Sequence, residues 1–219
     1  MITTHLEITN HNLQEISHLL SSFMIIGVIA TSMNGAIRAI KARMDITGAI
    51  LLAFITSNAG GTIRDLLLGQ QIFWIKEQFY VWLTLIIGAL TFFIIYNKRH
   101  VISSRLLYKF LIVTDAMGLA AFSLAGIEKA IAFNQNNTIA VIMGIWTAIG
   151  GGIIADVVSN QVPQVLSEEL YITVSFIGAV IYLYLNGRIN NILAGLIAAI
   201  IMVLLRIYSV KFNWRLPTI

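Results

Sequence analysis

The sequence predicts an all-α polytopic membrane protein: seven transmembrane helices, arranged as an inverted three-plus-three repeat with one extra helix. Three observations carry this. Of 219 residues, 58% are hydrophobic and only 11% charged, where a soluble domain carries roughly 25% charged residues. Too few charges exist to coat a soluble globule, and the hydrophobicity excludes disorder. The apolar residues fall in continuous runs close to the ~20 residues a helix needs to cross ~30 Å of hydrocarbon, without the period-two alternation of a barrel. Finally, the chain repeats itself at a constant offset of 91 residues.

The elements follow in chain order. Residues 1–18 form a polar N-terminal arm without Lys or Arg. Lacking a basic n-region, the arm does not read as a cleaved signal peptide, so the first apolar run is taken as a retained span. A first three-helix unit, residues 19–96, holds spans at about Leu19–Ile40, Ile46–Leu68 and Phe79–Tyr96. A basic cytoplasmic linker, residues 97–109, leads to a second unit, residues 110–186. Its spans are about Phe110–Phe133, Thr138–Val158 and Leu170–Asn186. Residues 187–219 supply a seventh span, about Ile189–Tyr208, and a C-terminal tail.

Lys and Arg set the orientation. With the N-terminus outside, the inner segments hold Lys41, Arg43, Lys98, Arg99, Arg105, Lys109, Lys211 and Arg215. The outer segments hold Arg64, Lys76, Lys129 and Arg188. The excess of basic residues inside places the N-terminus outside and the C-terminus in the cytoplasm. The same clustering accounts for the net charge of +4 without a nucleic-acid partner. With no cysteine there is no disulfide, thiolate nucleophile or Cys-based metal site. His5, His11, His18 and His100 lie outside the spans without metal-ligand spacing, so neither metal nor cofactor is expected. Membrane lipid is the expected surround.

The repeat aligns Gly60-Gly61-Thr62-Ile63-Arg64-Asp65 with Gly151-Gly152-Ile153-Ile154-Ala155-Asp156. It also aligns Gly35-Ala36-Ile37-Arg38-Ala39 with Gly126-Ile127-Glu128-Lys129-Ala130, and Gly27 with Gly118. Each unit contains three spans. An odd number of crossings turns the second unit over, giving a pseudo-two-fold axis in the membrane plane.

Both units place a glycine cluster in the middle span: Gly60 and Gly61 in the second helix, Gly150, Gly151 and Gly152 in the fifth. Each glycine weakens a helix by roughly 1 kcal/mol relative to Ala, so a cluster favours a kink or break. Alternatively, small residues let two helices pack closely. Matched positions in the two halves favour a permeation site. An acidic residue follows each cluster, Asp65 and Asp156, and a charge in a span faces the bundle interior or a water path. Arg64 precedes Asp65, and its expected partner is Asp156 or Asp115. Asp115 and Lys129 lie 14 residues apart in the fourth span, about 21 Å along one helix face. Lys129 also has a bland reading as a snorkelling span-end lysine. Within the field, its full transfer would couple by ~2.3 kcal/mol per 100 mV. Thr62, Ser123 and Asn160, with Thr56, Ser57, Asn58, Thr147 and Ser159, either line a pore or bond helix to helix.

These motifs resemble the bacterial members of the trimeric intracellular cation (TRIC) channel family, also catalogued as glycine transporters. The specific parts are Lys41-Ala42-Arg43-Met44-Asp45, Gly60 through Gly69, the second copy with Pro163, and terminal Trp214-Arg215-Leu216-Pro217. The resemblance implies a homotrimer with an ion pore inside each protomer, lined by glycine-kinked second and fifth helices. It implies K⁺ and Na⁺ as permeant ions. The chain departs from the common pattern at Ala155, where the second motif usually carries Arg.

The expected function is therefore a monovalent cation channel. Asp65 and Asp156 attract cations, and Arg64 and Lys129 act as gating or blocking charges. The alternative is a secondary transporter for a small amino acid such as glycine, since inverted repeats with interrupted helices suit alternating access. No Ser/His or metal constellation lies within the spans, so no enzyme is expected.

Overall fold

The computed structural model describes the backbone of residues 2–98, 104–167 and 170–214, and the side chains of residues 21–98, 105–166 and 170–214. The side chains of the polar arm, its three histidines included, lie outside the described residues. So do Arg99, His100, Glu168, Glu169 and Arg215. Helices account for the regular structure: α1 (Ile2–Lys41), α2 (Ile46–Leu67), α3 (Phe73–Lys76), α4 (Phe79–Asn97), α5 (Ser104–Ala132), α6 (Asn137–Val158), α7 (Gln164–Ser167), α8 (Tyr171–Leu185) and α9 (Asn191–Phe212). The backbone of the N-terminal arm is continuous with the first span in α1, and residues 104–109 are the first turns of α5 rather than linker.

Among the described residues, six helices are long and apolar enough to cross a membrane. The exception is α8, expected as a full span, which is a shorter apolar helix of 15 residues. It starts after Leu170 in the left-handed region (φ 35°) and ends at Asn186, whose ψ of 128° is extended. Two four-residue helices, α3 and α7, were not legible as elements.

The 91-residue offset reappears in local geometry. Asp45 caps α2 by accepting from the Gly48 N–H at 2.8 Å, and Asn136 caps α6 by accepting from Ile139 N–H at 2.9 Å. Each cap satisfies an N–H that the first helical turn leaves unpaired. Left-handed residues end the preceding and following turns in pairs: Arg43 with Asn134, and Gly69 with Asn160.

Helices α1, α2, α5 and α6 pack together at the centre, with α4 on α1 and α2, and α8 on α6 and α5. Helix α9, outside the repeat, packs on α5 and α8. The central crossing is made by glycine. A Cβ on Gly60 would collide with the Thr147 carbonyl oxygen, and one on Gly151 with the Thr56 carbonyl oxygen. Adding 91 to one contact and subtracting it from its partner converts each into the other. Adding 91 to both residues turns the contact of Gly35 with the Leu52 carbonyl into that of Gly126 with the Met143 carbonyl. Backbones this close leave no room for any side chain.

Of the kink or break expected, the break does not occur: α2 and α6 are helical throughout both glycine clusters. The physical reason is that Gly60, Gly150 and Gly151 are pressed against the opposite helix, where packing offsets their weak helix propensity.

Candidate functional site

Two buried carboxylates sit at equivalent places near the C-terminal ends of α2 and α6. Asp65 is 0% exposed and Asp156 5% exposed. A helix places each one turn or so past its glycines, and the chain then turns back to give it a backbone donor. Phe73 N–H donates to Asp65 Oδ2 at 2.8 Å, and Gln164 N–H donates to Asp156 Oδ2 at 2.9 Å. Those donors begin α3 and α7, and are themselves 91 residues apart.

The remaining oxygen of each carboxylate takes a cation from the other half of the chain. Lys129 Nζ on α5 lies 2.8 Å from Asp65 Oδ1. Arg38 Nη1 on α1 donates to Asp156 Oδ1. Arg38 and Lys129 were matched by the repeat, so this arrangement occurs twice with the halves exchanged. A carboxylate buried at this depth is tolerable because a charge and an N–H both satisfy it.

Contrary to the expectation from the sequence, Arg64 reaches neither Asp156 nor Asp115. Its Nε donates to the adjacent Asp65 Oδ1 at 2.7 Å, and its Nη1 lies 3.8 Å from Met24 Sδ. Asp156 is already taken by Arg38, and Asp65 is the carboxylate within reach. The Arg64 guanidinium lies 5.7 Å from the Phe73 ring. Its Nη2 is buried without a hydrogen-bond partner among the described residues.

Asp115 belongs with the second carboxylate rather than with Lys129. Its Oδ1 accepts from Tyr171 O–H at 2.6 Å and lies 3.6 Å from Arg38 Nη2. Its Oδ2 accepts from Arg206 Nε at 3.2 Å. The Arg206 guanidinium stacks over the Tyr171 ring at 4.2 Å. Arg38 also donates to Asn34 Oδ1 and to Gln164 Oε1, both at 2.6 Å. One end of the bundle thus holds Arg64, Asp65 and Lys129, and the other holds Arg38, Asp115, Asp156 and Arg206.

A cavity opens beside each group. The first, about 360 Å³, is bordered by Arg64, Lys129, Lys76, Glu77, Gln70 and Tyr80 among others. The second, about 310 Å³, is bordered by Arg38, Asp156, Ser159, Gln161, Gln164 and Lys41 among others. They share no lining residue. Gly152, beside a pinched space of about 10 Å³ with Arg38, Asp115 and Tyr171, meets nothing that would obstruct a Cβ. Gly61 packs on the Phe73 ring.

The small polar residues divide differently from the pore lining expected. Thr56, Ser57, Thr62, Thr147 and Ser159 each donate to the carbonyl four residues earlier in their own helix, the usual way a hydroxyl is satisfied inside a membrane helix. Thr62 also accepts from Trp74 Nε1 at 2.9 Å. Ser123 is buried and bonds Ser175, away from both cavities. Asn160 is exposed in the turn after α6. Among the described residues no His, Asp and Glu cluster suits a metal ion.

Sequence reasoning missed Arg206, Tyr171 and Gln164. Arg206 had a signal: it is a lone charge inside the seventh apolar run. Gln164 and the Phe73 N–H had none, because their role depends on how the chain turns after each helix.

Comparison with known proteins completes the description. A family model described as "Glycine transporter" matches residues 21–96 and again residues 112–187, the same 91-residue offset. The inner membrane protein YadS of Escherichia coli is 32% identical over 197 residues, covering 89% of this chain and 93% of that protein. The TRIC channel orthologue from Rhodobacter sphaeroides is 34% identical with a TM-score of 0.81, covering 88% of this chain and 97% of that one. A prokaryotic TRIC channel crystallised in 0.5 M KCl is 30% identical with a TM-score of 0.83, covering 91% of this chain and all of that one.

Proposed function

This chain belongs to the bacterial TRIC channel family, and from that premise we propose that it is a cation channel whose pore runs inside each protomer. The observation that carries the proposal is the duplicated carboxylate. Asp65 and Asp156 stand at the two ends of the bundle, beside cavities of about 360 Å³ and 310 Å³ respectively, and each is held by a cation from the opposite half. A permeating cation exchanges places with Lys129 at one carboxylate and with Arg38 at the other. Between them the α2–α6 crossing at Gly60 and Gly151 closes the path. Separation of those two helices opens it.

The finer features belong to the same proposal. The halves are an inverted pair with their axis in the membrane plane, supported by the exchanged contacts and by three spans per half. The N-terminus faces outside and the C-terminus the cytoplasm, supported by the Lys and Arg count. The permeant ions are K⁺ and Na⁺ with modest selectivity, since no carbonyl-filter motif is present. The assembly is a homotrimer, a reading supported by the word trimeric in the name of the Rhodobacter sphaeroides channel. Similarity to channels supports a conductive role over an enzymatic one.

A second reading, a carrier for a small amino acid, draws on the two cavities that do not meet and on the description of the family model. The experiment that separates them is single-channel recording of purified protein in planar bilayers under a KCl gradient. Discrete openings reversing near the K⁺ equilibrium potential support the channel. Silent bilayers with saturable glycine uptake into proteoliposomes replace it with the carrier.

A further inference from the structure

Of the positions at which the two halves of the site differ, one is filled from outside the repeat. In the first half, the Arg64 guanidinium reaches Met24 and borders the same cavity as Tyr80. The equivalents of these three residues in the second half are Ala155, Asp115 and Tyr171. Ala155 has no guanidinium and is fully buried. Yet a guanidinium stands there: Arg206 of α9 donates to Asp115 Oδ2 at 3.2 Å and lies over the Tyr171 ring at 4.2 Å.

We infer that Arg206 stands in for the arginine the second repeat lacks, so that the seventh helix is a working part of the second carboxylate site. The chemistry is matched by a compensating change. Residue 24 is Met beside Arg64, whose charge is met by Asp65 next to it. Residue 115 is Asp, and it meets Arg206, whose sequence neighbours are the uncharged Leu205 and Ile207. Arg206 is 3% exposed and Asp115 7% exposed, and a guanidinium at that depth needs this carboxylate. Asp115 in turn sits 3.6 Å from Arg38 Nη2, so Arg206 acts on the Arg38–Asp156 pair through Asp115. It is a positioning residue.

The test is sign reversal between two substitutions. Arg206→Leu alone lowers the melting temperature of the purified protein by several degrees and changes the asymmetry of its current–voltage curve. Ala155→Arg alone also lowers the melting temperature, because two guanidiniums then compete for one place beside Tyr171. Ala155→Arg added to Arg206→Leu raises the melting temperature and restores the asymmetry, since the new guanidinium reaches Asp115 as Arg64 reaches Met24. If Arg206→Leu does not fold, recovery of folded Arg206→Leu/Ala155→Arg protein makes the same point. The inference is overturned if Ala155→Arg is equally harmful in both backgrounds, if the double variant is also not recovered, or if Arg206→Leu is neutral. The melting arm does not depend on the channel reading and the current arm does, so failure of either is distinguishable.

Discussion

Lys129 Nζ lies 2.8 Å from Asp65 Oδ1, joining the second three-helix unit to the first at one end of the bundle. Arg64 Nε shares that oxygen at 2.7 Å. Two cations therefore hold one carboxylate that is 0% exposed. Asp65→Asn removes the carboxylate charge that both contact. Stranding one partner of a buried pair costs about 3–5 kcal/mol, so the variant melts at a markedly lower temperature. Where it still assembles, its unitary cation conductance falls. Unchanged conductance in properly assembled protein would remove Asp65 from the pathway.

Lys129→Gln has the opposite expected effect on flux. Arg64 and the Phe73 N–H still satisfy Asp65, so the fold survives with a smaller penalty. A competing cation is gone from the cavity of about 360 Å³. Open probability or conductance therefore rises, and the dependence on voltage weakens because one charge has left the field. Recordings across a range of voltages check both. A decrease in current with unchanged voltage dependence contradicts the blocking role.

The glycines separate into two classes with opposite responses. Gly60→Ala and Gly151→Ala push a methyl group into the carbonyls of Thr147 and Thr56. Each costs about 1–3 kcal/mol of overpacking, read as a lower melting temperature. Gly152→Ala meets nothing within 4 Å. Its helix gains up to about 1 kcal/mol of propensity, so the protein is unchanged or slightly more stable. Equal destabilisation by all three would show that the crossing is not where the glycines act.

How much of this was legible follows from what kind of contact each feature is. The spans were legible because apolar length is a local property, and the offset of 91 residues placed Asp65 with Asp156 and Arg38 with Lys129 before any coordinates. The pairing across the halves was legible in principle, since one exchange satisfies both carboxylates, but Arg64 drew attention to itself as the adjacent charge. Its partner is the residue next to it, a geometry that spacing along a helix does not predict, because successive side chains point about 100° apart. The unbroken helices were misjudged because propensity was weighed without the opposing helix. Nothing local marks Thr147 as the neighbour of Gly60. The shortness of α8 lies within the sequence reading, since the span expected at about Leu170–Asn186 is bounded by Glu169 and Gly187 and exceeds the helix by one residue at each end.

Tyr171→Phe and Asp115→Asn grade the second site. Tyr171 donates one hydrogen bond to Asp115 at 2.6 Å. Removing it leaves the carboxylate with two arginines, at a cost of about 1.5–3 kcal/mol for a bond to a charged group. Asp115→Asn strips the charge that serves both Arg38 and Arg206, and costs about 3–5 kcal/mol. Thermal melts of the two variants should rank in that order. The reverse order would mean that Tyr171 packing, not the ion cluster, holds this end together.

The inverted arrangement can be read out at one pair of equivalent positions. Ala42 follows α1 and Phe133 follows α5, and they are 91 residues apart. Both are exposed, Phe133 at 40%. The chain has no cysteine, so a single introduced thiol is the only one to react. In intact cells a membrane-impermeant maleimide should label Phe133→Cys and spare Ala42→Cys, which reacts only after the membrane is opened. Inversion requires opposite sides for equivalent residues, because three crossings separate the starts of the two units. Labelling of both from outside, or of neither, breaks the inverted repeat and with it the exchange of Lys129 and Arg38 as gates on opposite faces. Labelling of Ala42→Cys alone keeps the inversion but reverses the termini, moving the Asp65 cavity to the cytoplasmic side.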